Sequence, residues 1–151
     1  MKKQNTASIA RRMATQFWGE VQYQKKMAEG IWWFSTAGHG GFVVDTDLRP
    51  ALKEFNSRVY YGVGQRYYID EEQHFAAFEE DCEAVKVEWT YPEIMDKISK
   101  WHSFTCSLEQ WKETRVKTLR DSLVQWNPDW LAKHPEPGWL EKMGQARQHE
   151  R

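Results

Sequence analysis

Ile31-Trp32-Trp33-Phe34-Ser35-Thr36-Ala37-Gly38-His39-Gly40-Gly41-Phe42-Val43-Val44-Asp45 is the stretch on which the reading of the chain turns. Two apolar runs rich in aromatic and β-branched residues flank a turn of small residues, which predicts a β-hairpin presenting His39. Glycines at 38, 40 and 41 permit positive φ and close backbone approach, so the tip reads as a tight turn or as a ligand-facing loop.

On the N-terminal side, Ile9, Met13, Phe17 and Val21 recur every four residues and predict an amphipathic helix from Thr6 to about Ala28, with Gly30 as its stop. On the C-terminal side, Asp47 followed by Leu48-Arg49-Pro50 predicts a short helix to Phe55 that turns Leu48, Leu52 and Phe55 inward. Residues 59–69 are rich in β-formers but broken by Gly62 and Gly64, and read as a bulged strand or irregular pair. Asp70-Glu71-Glu72-Gln73 has capping-box spacing, and Phe75, Phe78 and Cys82 continue it as a helix from Glu71 to about Glu83. Val85, Val87, Trp89 and Tyr91 then alternate with Lys86, Glu88 and Thr90, the pattern of a half-buried strand ended by Pro92.

A second helix is expected from Pro92 to about His102 on Ile94, Ile98 and Trp101. Ser107-Leu108-Glu109-Gln110 offers a further capping box, opening a longer helix whose core face is Trp111, Val116, Leu119, Leu123 and Trp126. Asn127-Pro128 ends that helix and starts a short one through Trp130 and Leu131, before Pro135, Pro137 and Gly138 break the chain. The expected fold is α+β: a small sheet of three to five strands, with the Trp-rich hairpin and the 85–91 strand at its centre, covered by several helices. A single domain over 1–151 is expected, with a core at about 6–133 and a frayed tail at 137–151.

The 151 residues carry a formal net charge of −1 and are 40% hydrophobic with nine Trp, so a packed globular chain is expected and a disordered one is not. That charge gives no general attraction to nucleic acid or to an anionic membrane, and direct nucleic-acid binding is not expected. Charge is unevenly spread. Residues 1–30 have a local balance of +4, while residues 70–96 hold ten Asp/Glu against Lys86 alone. Two cysteines, Cys82 and Cys106, are too few for a disulfide framework, and no apolar run approaches the ~20 residues that span a bilayer. A cytoplasmic protein with free thiols is expected.

Four groups of residues bear on chemistry. Cys82 as thiolate and His39 as base, with Glu80 or Asp81 to orient the imidazole, meet the minimum for nucleophilic catalysis. Yet Cys82 falls on the stripe of Phe75 and Phe78, where a cysteine is an ordinary small hydrophobe. His39, His74, Cys82, His102 and Cys106 share no metal-ligand spacing, and neither metal nor cofactor is expected. Gly38-His39-Gly40-Gly41 is neither a P-loop nor a dinucleotide fingerprint. Finally, Glu71, Glu72, Glu79, Glu80 and Glu83 form an acidic face that serves either solubility or a basic protein partner.

Phe34 to Gly41 and Phe78-Glu79-Glu80-Asp81-Cys82-Glu83 together resemble a family of uncharacterised domains carried by phages, plasmids and other bacterial mobile elements. Members show a Thr-Pro-Gly/Ser-His-Gly-Gly-like turn and, some forty residues later, Glu-Glu-Asp-Cys. Thr36, Gly38, His39, Gly40 and Gly41 match the first signature and Glu79, Glu80, Asp81 and Cys82 the second, whereas Ala37 replaces the proline. The resemblance covers residues 31–91 and implies a mobile-element accessory protein, a class rich in small inhibitors of host defences.

The expected function is therefore stoichiometric binding, inside the bacterial host cell, to a host protein or ribonucleoprotein complex, as an anti-CRISPR or anti-restriction type of inhibitor. Glu72, Glu79, Glu80, Glu83 and His39 would form the binding surface. Thr36, Gly38, Gly40, Gly41, Asp81 and Cys82 would form a structural motif, and a buried His39 would donate to Glu79, Glu80 or Asp81 as a clip. The alternative is a hydrolase or transferase using Cys82 and His39, with Asp81.

Overall fold

The computed structural model describes residues 6–52, 75–81 and 83–138. The chain divides into two compact units, Met1–Ala84 and Val85–Arg151. The strand expected at 59–69, the Phe55 end of the short helix, Glu71, Glu72, His74, Cys82 and most of the tail lie outside the described residues.

The first unit opens with α1, Thr6–Trp18, and continues with β1 (Tyr23–Ala28), β2 (Ile31–Ser35), β3 (Gly40–Asp45) and β4 (Phe75–Glu79). The strands form an antiparallel sheet in the order β1-β2-β3-β4. The hairpin is where the sequence placed it, with Trp33 opposite Phe42 and Ser35 opposite Gly40. Successive side chains of a strand point to opposite faces. Trp32, Phe34, Val43, Phe75 and Ala77 face α1, which meets them with Ala10, Met13 and Ala14. The two alanines keep the helix close to the sheet. Burying each of the large aromatics in this layer contributes about 2–3 kcal/mol. Ile31, Phe42, Val44, Ala76 and Phe78 belong to the opposite face, which is buried too. There Trp33 packs edge-on against Phe42, with ring centroids 4.9 Å apart.

Three expectations for this unit are corrected. The first helix ends at Trp18, not Ala28: Gly19 takes φ +100 and its N–H donates to the Thr15 carbonyl at 3.0 Å. Val21 is buried as its spacing implied, but extended chain carries it there, and Gln22 begins the pairing by donating to Ser35. Gly30, at φ +82, turns β1 into β2 rather than stopping a helix. The capping carboxylate after the hairpin is Asp45, not Asp47, since Asp45 Oδ1 accepts from the N–H groups of Asp47 and Leu48. Among the described residues a 3₁₀ turn follows at 50–52; Leu52 is buried, but Leu48 is exposed. Phe75–Glu79 is a strand rather than part of a helix. All of Phe75, Ala76, Ala77 and Phe78 are buried, and a strand covered on both faces shows no alternation.

The second unit is helical: α2 (Ala84–Thr90), a 3₁₀ turn (Pro92–Ile94), α3 (Met95–Ser99), α4 (Leu108–Trp126) and α5 (Pro128–Lys133). The 85–91 strand is thus overturned. Its alternation assigned Lys86, Glu88 and Thr90 to solvent, yet all three are buried. Glu88 accepts two bonds of 2.8 Å from the Arg115 guanidinium on α4, and the Lys86 ammonium lies 5.8 Å from the Trp130 ring centre on α5. Polar residues so partnered read like a solvent face to any pattern of period two.

The capping box at Ser107 is formed with Gln110 as expected, and α4 buries Trp111, Leu119 and Leu123. Val116 is half-buried, and the packed stripe stops before Trp126, which is 61% exposed. The expected Pro92–His102 helix is the 3₁₀ turn plus α3, with Ile94 and Ile98 buried but Trp101 exposed. Asn127-Pro128 separates α4 from α5 as read. Trp89 anchors the chain beyond α5: its indole N–H donates to the His134 carbonyl at 2.9 Å, and its own carbonyl accepts from Gly138.

Candidate functional site

The two signature segments meet at one end of the sheet in the first unit. Gly41 is the register partner of Glu79, and the Glu80 N–H donates to the Gly40 carbonyl at 2.9 Å. Because consecutive residues of a strand alternate, Glu79 lies on the face that carries α1. Glu80 Oε2 lies beside Gly40 on the face that carries Trp33. Asp81 and Glu83 follow within one turn, where the Glu83 N–H donates to the Glu79 carbonyl. Glu79, Glu80, Asp81 and Glu83 therefore form an acidic corner; Glu80 and Asp81 are exposed, and Glu79 and Glu83 are half-buried.

Thr36 closes the hairpin tip. Its N–H donates to the His39 carbonyl at 2.8 Å, and its hydroxyl accepts from the His39 N–H at 3.1 Å. This fixes the backbone of His39, and His39 Nδ1 sits 2.9 Å from Glu79 Oε1. The clip exists, with Glu79 as the partner, but not as the buried bond expected from sequence: the side chains are 54% and 41% exposed. Such a pair contributes roughly 0–1 kcal/mol. His39→Ala is accordingly expected to leave the melting temperature within about 3 °C of the parent. A larger fall, seen by circular dichroism, would contradict an exposed clip.

The glycines act by absence of a side chain rather than by positive φ, which none of the three adopts. A Cβ on Gly41 would run into the Phe78 carbonyl and two Trp18 indole carbons, and one on Gly40 would lie 3.1–3.2 Å from the Phe34 carbonyl, Glu80 and Trp33. Gly38 has open space. Trp18 at the end of α1 and Trp33 on β2 are thus built into the corner, one on each face, though neither was singled out as a site residue. The signal for Trp18 was present in the Gly40-Gly41 pair, since glycine within a strand marks close approach.

Glu72 and Cys82 fall outside the described residues, so the corner contains His39, Thr36, Gly38, Gly40, Gly41, Glu79, Glu80, Glu83 and Asp81 of the expected set. Cys106 is an exposed free thiol in the second unit. Among the described residues no group of three or more His, Cys, Asp or Glu is placed to hold a metal ion, and no helix is long and apolar enough to cross a membrane.

A family model described as a domain of unknown function (DUF7007) matches residues 11–150. No curated protein and no solved structure matches the chain.

Proposed function

We propose that the chain, which belongs to the DUF7007 family, acts by stoichiometric binding to a basic protein or ribonucleoprotein through its acidic corner. The observation that carries this reading is the convergence of Glu79, Glu80, Asp81 and Glu83 on a hairpin tip held in one conformation by Thr36 and His39. Four carboxylates on five residues repel one another. Complementary charge is what such an array contributes to association, by steering and by rejecting wrong partners. Proteins that grip nucleic acid present the matching basic surface, and the resemblance to mobile-element domains makes a host defence complex inside the bacterial cell the proposed target, with inhibition as the outcome.

The test is capture from an extract of the native host by the immobilised chain and by a variant with Glu79→Lys, Glu80→Lys and Glu83→Lys. The parent is expected to retain a nucleic-acid-handling complex that the variant loses by at least tenfold, with both chains melting alike. Equal capture by the two sinks the acidic-corner reading.

One observation favours a second reading. His39 Nδ1 lies 2.9 Å from Glu79 Oε1, and a carboxylate set against one ring nitrogen is the arrangement that orients a histidine general base. Cys82, three residues beyond Glu79, would be the nucleophile of a hydrolase or transferase, with Asp81 beside it. In a Cys106→Ser background this reading expects iodoacetamide to modify Cys82 faster than an ordinary thiol near neutral pH, and His39→Ala to slow that reaction. An ordinary rate unaffected by His39 removes it.

A further inference from the structure

Among the described residues of the acidic corner, His39 alone is of a type that changes charge near neutral pH. Histidine ordinarily does so between roughly pH 5 and 8, a window in which ordinary carboxylates keep their charge. Its imidazole is held where that change acts on the whole corner. Thr36 fixes the backbone of His39, and Nδ1 lies 2.9 Å from Glu79 Oε1. The side chain is 54% exposed, and Nε2 makes no hydrogen bond among the described residues. Both ring nitrogens donate in the charged form, so the ring can take up a proton from water and still meet Glu79.

The other charges around the tip are carboxylates and one amine. Residues 31–38 and 40–44 carry none. α1 reaches the corner through Trp18, with the exposed Glu20 two residues on. β1 brings Tyr23 opposite Ser35, and Lys25 opposite Trp33, further from the tip. β4 and the turn after it bring Glu79, Glu80, Asp81 and Glu83. With the imidazole neutral, all four of these carboxylates act on a partner. With it charged, one of them is answered from within the molecule.

We infer that His39 makes the hold of the acidic corner on a basic partner depend on pH, strong while the imidazole is neutral and weaker once it is protonated. This rests on the reading of the corner as a binding surface and adds its regulation. The direction follows from charge. A protonated His39 repels the partner's cations, and by linkage a bound cationic partner favours the neutral imidazole, so binding releases protons. Two unit charges about 7 Å apart in water interact by roughly RT, a factor of about three in affinity for each cation brought that near.

The test is fluorescence anisotropy of a labelled deca-arginine peptide at low salt, at about pH 6 and about pH 7.5, a range over which arginine stays charged. The chains compared are the parent, His39→Asn, and a variant with Glu79→Gln, Glu80→Gln and Glu83→Gln. Asparagine keeps a donor for Glu79 and does not titrate. The parent is expected to bind about threefold or more weakly at the lower pH, and His39→Asn to bind alike at both. A parent whose affinity is flat across this range, while the carboxylate variant binds more weakly, overturns the inference and leaves the binding surface standing. A pH dependence that survives in His39→Asn overturns it as well. Binding untouched by removal of the three carboxylates overturns both the regulation and the surface on which it rests.

Discussion

Gly41→Ala is expected to destabilise the chain by about 3 kcal/mol or more, at or above the top of the roughly 1–3 kcal/mol usual for overpacking. The added methyl would lie 2.7 and 2.8 Å from two carbons of the Trp18 indole and would overlap the Phe78 carbonyl. Neither neighbour can give way cheaply. The carbonyl belongs to β4, paired with β3 on this register, and Trp18 is the last residue of α1. One methyl thus pushes both the helix and β4 away from β3. Gly38→Ala, three residues beyond the β2 end in open space, is the control and is expected within about 0.5 kcal/mol of the parent. Urea unfolding of the two variants checks this; a Gly41→Ala chain with the parent's midpoint would mean that Trp18 does not lie on Gly41.

Arg115→Ala is expected to cost about 3–5 kcal/mol, because it leaves Glu88 as a buried carboxylate without its cation. Glu88 has only 3% of its side chain exposed and receives both of its 2.8 Å bonds from Arg115, which itself keeps 25%. Glu88→Leu combined with Arg115→Leu is expected to be less destabilising than Arg115→Ala alone, since an apolar pair of similar volume carries no desolvation penalty. Denaturant melts of the single and double variants decide it. A double variant worse than Arg115→Ala would show that the ion pair adds net stability beyond the burial it replaces.

These two sites also mark where sequence reading reached and where it stopped. The hairpin was legible because β-branched and aromatic runs around Gly38 to Gly41 admit few other folds, and the Ser107–Gln110 box because both of its partners are close in sequence. The 84–90 helix was not. Lys86 and Glu88 imitate a solvent face, and the cation and ring that make their burial tolerable stand 27 to 44 residues away, on α4 and α5. β4 was misread for the opposite reason: Phe75-Ala76-Ala77-Phe78 is buried on both faces, so its aromatics fall at helical spacing by accident.

The candidate corner was half legible. A contact between His39 and one of the three following carboxylates was expected. That Glu79 makes it follows from the Gly41–Glu79 register, which no local pattern encodes. The exposure of the pair was missed because the helix assumed for residues 71–83 would have packed over it.

The central claim is that the hairpin tip and the Glu79–Glu83 segment together form the binding surface. Amide hydrogen exchange of the chain, free and in complex with the macromolecule it captures, tests it most directly. New protection is expected at residues 36–41 and 79–84 together, with little change in α1; protection confined to other segments while these exchange as in the free chain would contradict the claim.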